Sequence, residues 1–111
     1  MNVSFTGYKE GIVTFEAESD VTAGMPVTVS GNGKVKKATN VFCGICKGVR
    51  NGYAAVQLDG YVQVPYTSTL TVGYQSLAAD STGKLKVDAS NGRQILVVDI
   101  DTVNSMAGII L

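Results

Sequence analysis

Val21-Thr22-Ala23-Gly24-Met25-Pro26-Val27-Thr28-Val29, followed by Gly33-Lys34-Val35-Lys36, is echoed later by Leu70-Thr71-Val72-Gly73-Tyr74-Gln75-Ser76-Leu77, followed by Gly83-Lys84-Leu85-Lys86. The two Thr-x-Gly signals lie 49 residues apart and the two Gly-Lys signals 50 apart. A β-branched run follows each copy, at 41–49 and at 95–100. Each copy reads as a turn, a short strand, a glycine hairpin, a second short strand and a longer strand. The expectation is an all-β fold: a small β-barrel or β-sandwich-like module built from two pseudo-repeated hairpin units, spanning 21–49 and 70–101 of a single domain at 21–111. Residues 1–20 precede the repeat and read as an N-terminal extended arm or as first strands.

The turn chemistry extends this reading. Ser30-Gly31-Asn32-Gly33 and Arg50-Asn51-Gly52 are hairpin signals and Ser90-Asn91-Gly92-Arg93 is a third Asn-Gly turn, because Asn and Gly adopt positive φ at little expense. Tyr61-Val62-Gln63-Val64 alternates with the period of a half-buried strand. Gly44 and Gly48 interrupt the run at 41–49 and point to a bulge or a close backbone approach. Pro26 opens its strand, where a missing N–H is tolerated. No 3.6-residue apolar period is present, and only 76–80 reads as a possible turn of helix. The chain ends on Ala107-Gly108-Ile109-Ile110-Leu111, apolar enough to pair within the sheet.

Composition narrows the function classes. A chain of 111 residues buries roughly 65% of its unfolded surface, enough for a core without a metal or disulfide staple. Nine Lys and Arg balance nine Asp and Glu, so no broad basic field exists for nucleic acid or an acidic membrane. Only 16% of residues are charged, which points to neutral surface covered by partners. Residues 1–8 carry no basic, apolar leader pattern, and no run reaches the ~18 apolar residues of a membrane span. The expectation is a protein made in a cytoplasm-like compartment.

Candidate chemistry is sparse. Cys43-Gly44-Ile45-Cys46 has the C-x-x-C spacing of redox sites and half-zinc sites, but its flanks read as strand rather than as a helix N-terminus. The chain has no His and no third Cys to complete a zinc site. Two strand residues three apart sit about 10 Å apart, beyond disulfide reach without a bulge at Gly44. These cysteines read as packing residues. Asp99 and Asp101 share a strand face at i, i+2, yet no calcium-loop pattern accompanies them, and they read as a strand end turning into solvent. Without His, no Ser, Thr or Cys has a ready general base. The residues thus imply no catalytic site, no cofactor and no metal. Tyr8, Tyr53, Tyr61, Tyr66 and Tyr74 form either a stacking platform or amphipathic edge residues; the neutral charge favours the latter.

Gly24-Met25-Pro26-Val27-Thr28-Val29 through Gly33-Lys34-Val35-Lys36-Lys37-Ala38-Thr39, then Phe42-Cys43-Gly44-Ile45, then Ala54-Ala55-Val56-Gln57-Leu58-Asp59-Gly60-Tyr61-Val62, resembles the small head-decoration (capsid cement) proteins of tailed bacteriophages. The likeness continues through Leu77-Ala78-Ala79-Asp80 and Lys84-Leu85-Lys86-Val87 to the final residues 95–111, although the cysteine pair is not matched. The resemblance implies a non-enzymatic module bound outside the major capsid protein shell of a virion. It implies a homotrimer at threefold or quasi-threefold points, with an N-terminal segment engaging the shell. Within that segment Val3, Phe5, Tyr8, Ile12 and Phe15 are the expected contact residues, since apolar side chains outside the repeat need burial somewhere. The alternative is a carbohydrate- or host-surface-binding β module carried by the tyrosines.

Overall fold

The computed structural model describes residues 4–5, 7–67 and 69–111. The described residues contain no helix, and the chain is all-β. Strands β1 (Gly11–Ala17), β2 (Pro26–Gly31), β3 (Lys34–Lys37), β4 (Gly44–Arg50) and β5 (Tyr53–Asp59) close a barrel in the order β1-β3-β2-β4-β5. Strands β6 (Tyr61–Pro65), β7 (Gly73–Ala79), β8 (Leu85–Val87), β9 (Arg93–Asp101) and β10 (Met106–Ile110) form a second five-stranded sheet in the order β6-β10-β9-β7-β8.

The two sheets are wired alike. β2 pairs antiparallel with β3 and β4, as β7 does with β8 and β9. β5 bridges β4 and β1, as β10 bridges β9 and β6. The hairpin registers agree residue by residue. Val27↔Lys37, Thr28↔Lys36 and Val29↔Val35 recur fifty positions later as Leu77↔Val87, Ala78↔Lys86 and Ala79↔Leu85. A bulge breaks β4 between Cys46 and Gly48, and β9–β10 slips at the corresponding place, opposite Gly108 and Ile109. The repeat is therefore wider than 21–49 and 70–101: it takes in all ten strands, from Gly11–Asp59 to Tyr61–Ile110.

Closure differs. β1 and β3 run parallel and pair at Glu16↔Lys34 and Ala17↔Val35. The edges of the second sheet meet at one parallel bridge, Tyr66↔Leu85, where the Thr67 N–H donates to the Leu85 carbonyl at 2.8 Å.

One alternative is decided and two expectations are corrected. Of the two readings of residues 1–20, arm or first strands, residues 11–17 take the second: they are a barrel strand held by β5 along most of their length, because Phe15 and Ala17 face the barrel core. Residues 76–79 are strand, not a helical turn, because Leu77, Ala78 and Ala79 pair with β8 and are buried. Residues 41–43 lie outside β4, because Phe42 leaves the first sheet to pack in the second core.

Asn51 and Gly52 adopt φ of 52° and 80°, the paired left-handed geometry of a type I′ turn, so β4–β5 is a two-residue hairpin. The interior of the barrel is small: Val27, Val35, Cys46, Ala54 and Val56 are fully buried. The second core is larger and is shared. Leu77, Leu85, Ile95 and Ile109 pack with Ala38, Phe42 and Ile45 from the first unit. The two units also join through backbone. Asn40 accepts from the Ala79 N–H at 2.7 Å, and Tyr8 accepts from the Tyr61 N–H at 2.8 Å. Gly60 links the units at φ +84°, with the backbone carbonyls of Tyr8 and Lys9 pressed where a Cβ would stand.

Candidate interaction surface

The outer face of β1-β5-β4 is laid out in three cross-strand rows. Ile12–Gln57–Ile45 comes first, Thr14–Ala55–Gly48 second and Glu16–Tyr53–Arg50 third. The second unit covers most of the first row. Ile45 belongs to its core, and the Gln57 amide donates to the carbonyls of Tyr61 at 2.7 Å and Asp59 at 3.0 Å. The second row is bare. Its small side chains floor an open trough of about 300 Å³, lined by Thr14, Gly48, Val49, Arg50, Tyr53, Ala54 and Ala55. The rigid turn at 51–52 sets Tyr53 and Arg50 directly opposite each other at one end of this trough. Tyr53 is 56% exposed and Val49 41%.

The corresponding rows of the second unit are Tyr61–Ile110–Leu96 and Gln63–Gly108–Asp99. Tyr61 is buried, and its phenol donates to Asp99 Oδ2 at 3.1 Å. Burial pushes the Tyr61 hydroxyl pKa up; a hydrogen bond from Gln63 opposes the shift and the Asp99 charge adds to it. A Cβ on Gly108 would crowd the Asp99 carboxylate and stand 2.6 Å from that phenol oxygen, so the glycine leaves room for the Tyr61–Asp99 pair as it stands.

The expected contact residues are scattered by this arrangement. Val3 lies outside the described residues. Phe5 stacks on Tyr61 with ring centroids 5.7 Å apart. Phe15 packs against the barrel core. Tyr8 and Ile12 are the two that stand exposed, each at 48%. The trough on β4 and β5 has no motif in the sequence. Its signal is the run Gly48-Val49-Arg50-Asn51-Gly52-Tyr53-Ala54-Ala55, small residues around a type I′ turn, which reads as hairpin alone.

Other candidates resolve into structural roles. Cys43 and Cys46 are free; burial raises both thiol pKa values, so neither is a ready thiolate at neutral pH. Cys46 fills the barrel core and donates to the Gly48 carbonyl at 3.6 Å. Asp101 caps its own turn, accepting from the backbone N–H of Val103 and Asn104, while Asp99 serves Tyr61. The tyrosines do not form one platform. Tyr61 is buried and Tyr66 half-buried, while Tyr53 and Tyr74 lie on separate sheets. Among the described residues no group of three His, Cys, Asp or Glu is placed to hold a metal ion, and no helix is long and apolar enough to cross a membrane. No protein-family sequence profile matches the chain, and no curated protein matches it.

Proposed function

We propose that this chain is a non-enzymatic decoration protein of a tailed bacteriophage, a homotrimer that binds the outer surface of the major capsid protein shell and stabilises it. The observation that carries the reading is the set of large apolar side chains left exposed on an all-β scaffold: Tyr8 ahead of the first unit, Ile12, Val13, Val29, Val41, Val49 and Tyr53 on it, and Val72, Tyr74, Val87 and Val103 on the second. Exposed apolar surface on a small neutral protein marks contact with other proteins. Several copies held together also need only modest affinity at each contact to coat a symmetric lattice. Tyr8 and Ile12 are the shell-facing residues of this reading, because they stand clear of both cores.

Co-sedimentation with undecorated shells assembled from tailed-bacteriophage major capsid proteins tests the reading. Saturable binding is expected, weakened about tenfold by the double change Tyr8→Asp, Ile12→Asp, in line with losing ~1.4 kcal/mol of apolar contact. No binding to any such shell sinks the proposal, as does glycan-array binding that Tyr→Ala changes abolish.

A further inference from the structure

We propose that the trough on the first unit receives Tyr74 of a second copy of this chain. The argument comes from the repeat. The Thr14–Ala55–Gly48 row corresponds by strand pairing to Gln63–Gly108–Asp99. In the second unit that row is already filled: the Tyr61 phenol reaches over Gly108 to the Asp99 carboxylate, and Tyr61 is only 6% exposed. In the first unit the place of Tyr61 is taken by Ile12, which is 48% exposed and has no polar end to carry across the sheet. The same groove is thus occupied by a phenol in one unit and open in the other.

The lining of the open trough suits a phenol from outside. Gly48 stands where Asp99 does, which deepens the floor. Arg50 supplies a guanidinium with no hydrogen-bond or ion-pair partner among the described residues, so it can donate to an entering phenol oxygen. The Tyr53 ring stands beside it for an aromatic pair.

The chain also presents the matching knob. Tyr74 is the most exposed aromatic among the described residues, at 70%. It lies in row with the partly buried Leu96 and Ile110, and the neighbouring Val72 is 62% exposed. Knob and trough sit on different units, so the contact is head-to-tail and closes into a ring when the rotation allows. This inference rests on the self-association in the reading above and names the surfaces that would make it.

The test needs no capsid. Sedimentation equilibrium of the full chain over a concentration series is expected to show self-association. Tyr74→Ser and Ala55→Leu should each weaken it by about 30-fold or more, the scale of an aromatic hot spot, with strand circular dichroism unchanged. An equal mixture of the two variants should form a 1:1 dimer and nothing larger, because one chain keeps the trough and the other keeps the tyrosine. Tyr53→Ala is the trough variant should Ala55→Leu not fold. A monomeric wild type, a variant that associates like wild type, or a mixture without dimer overturns the proposal. Oligomers that ignore shells sink the decoration reading and leave this inference standing; monomers that coat shells sink this inference together with the trimer of the reading above, and leave shell binding standing.

Discussion

The two units share one wiring scheme but not one state of closure. The barrel of β1–β5 is sealed by two residue pairs between β1 and β3, whereas β6 and β8 meet at one bridge. The interior side chains supply the physical difference. Val27, Val35 and Val56 of the barrel stand where Leu77, Leu85 and Ile109 stand in the second unit. A five-stranded barrel has a narrow interior. Valines fit it, while the leucines and isoleucine, joined by Phe42 from outside, spread the second sheet. The connectors differ in the same sense. Residues 38–43 carry Ala38 and Phe42 into the second core, but their counterparts at 88–92 curl over Asp88, whose carboxylate accepts from the Ser90 and Asn91 N–H groups. The first unit completes the second, and the second returns no plug.

The largest effect expected is on that plug. Phe42 is 2% exposed, with the Arg93 guanidinium 5.5 Å from its ring centroid. Phe42→Ala should lower stability by about 3–5 kcal/mol in urea unfolding, with amide exchange rising in β7 and β9 before β4 and β5. Uniform loss across both units would mean that the cores are not separable. Next, Val35→Leu places the second unit's residue in the barrel. Overpacking there should lower stability by roughly 1–3 kcal/mol and loosen the β1–β3 seam, seen as faster exchange at the Glu18 amide, which donates to Val35 at 2.9 Å. An unchanged seam would remove side-chain size as the reason for the difference in closure.

Gly108→Ala gives the second unit the alanine floor of the first. The new Cβ crowds the Asp99 carboxylate and the Tyr61 phenol and breaks their hydrogen bond, with an expected loss of about 1–2 kcal/mol. It should also return the Tyr61 hydroxyl from its raised pKa toward the ordinary value, read by NMR titration of the ring. A titration curve that does not move would show that Tyr61 is held by something other than this groove.

The smallest effect is acid sensitivity. Asp80, Asp88 and Asp101 all cap turns of the second unit, and each is held below the usual carboxylate range. For Asp80, burial raises the pKa, but the Thr82 hydroxyl and the Thr82 and Lys84 N–H groups outweigh it. Asp88 is lowered by the Asn91 and Ser90 N–H groups, and Asp101 by Asn104. A depressed folded pKa stabilises above the unfolded value, about 4, and that contribution is lost as pH falls through the folded values. Exchange in β7–β10 should therefore rise below about pH 4 while β1–β5 stay protected. The triple Asp→Asn variant should flatten the profile; equal acid response in both units would refute this assignment.

Much of this architecture is local and therefore legible in the residues. Asn51-Gly52 and the Gly33 and Gly83 signals specify hairpins because positive φ is a property of a residue and its neighbours. Alternation holds at 62–64, where Val62 and Val64 are buried and Gln63 exposed, and fails at Tyr61, which is buried on the Gln63 face by its reach over Gly108 to Asp99. The Thr-x-Gly and Gly-Lys spacings announce the duplication, and the absence of helical period excludes helix. The tertiary structure alone decided the rest. Residues 11–17 became a barrel strand through pairing with β5, and their parallel contact with β3 joins Glu16 to Lys34 and Ala17 to Val35 across a chain reversal. Phe42 left its own unit for the other core, and the trough over Ala55 stayed open while its counterpart filled with Tyr61. Each of these is a choice among burial sites distant in sequence, settled by which cavity has room for which side chain, and no local run of residues carries that information.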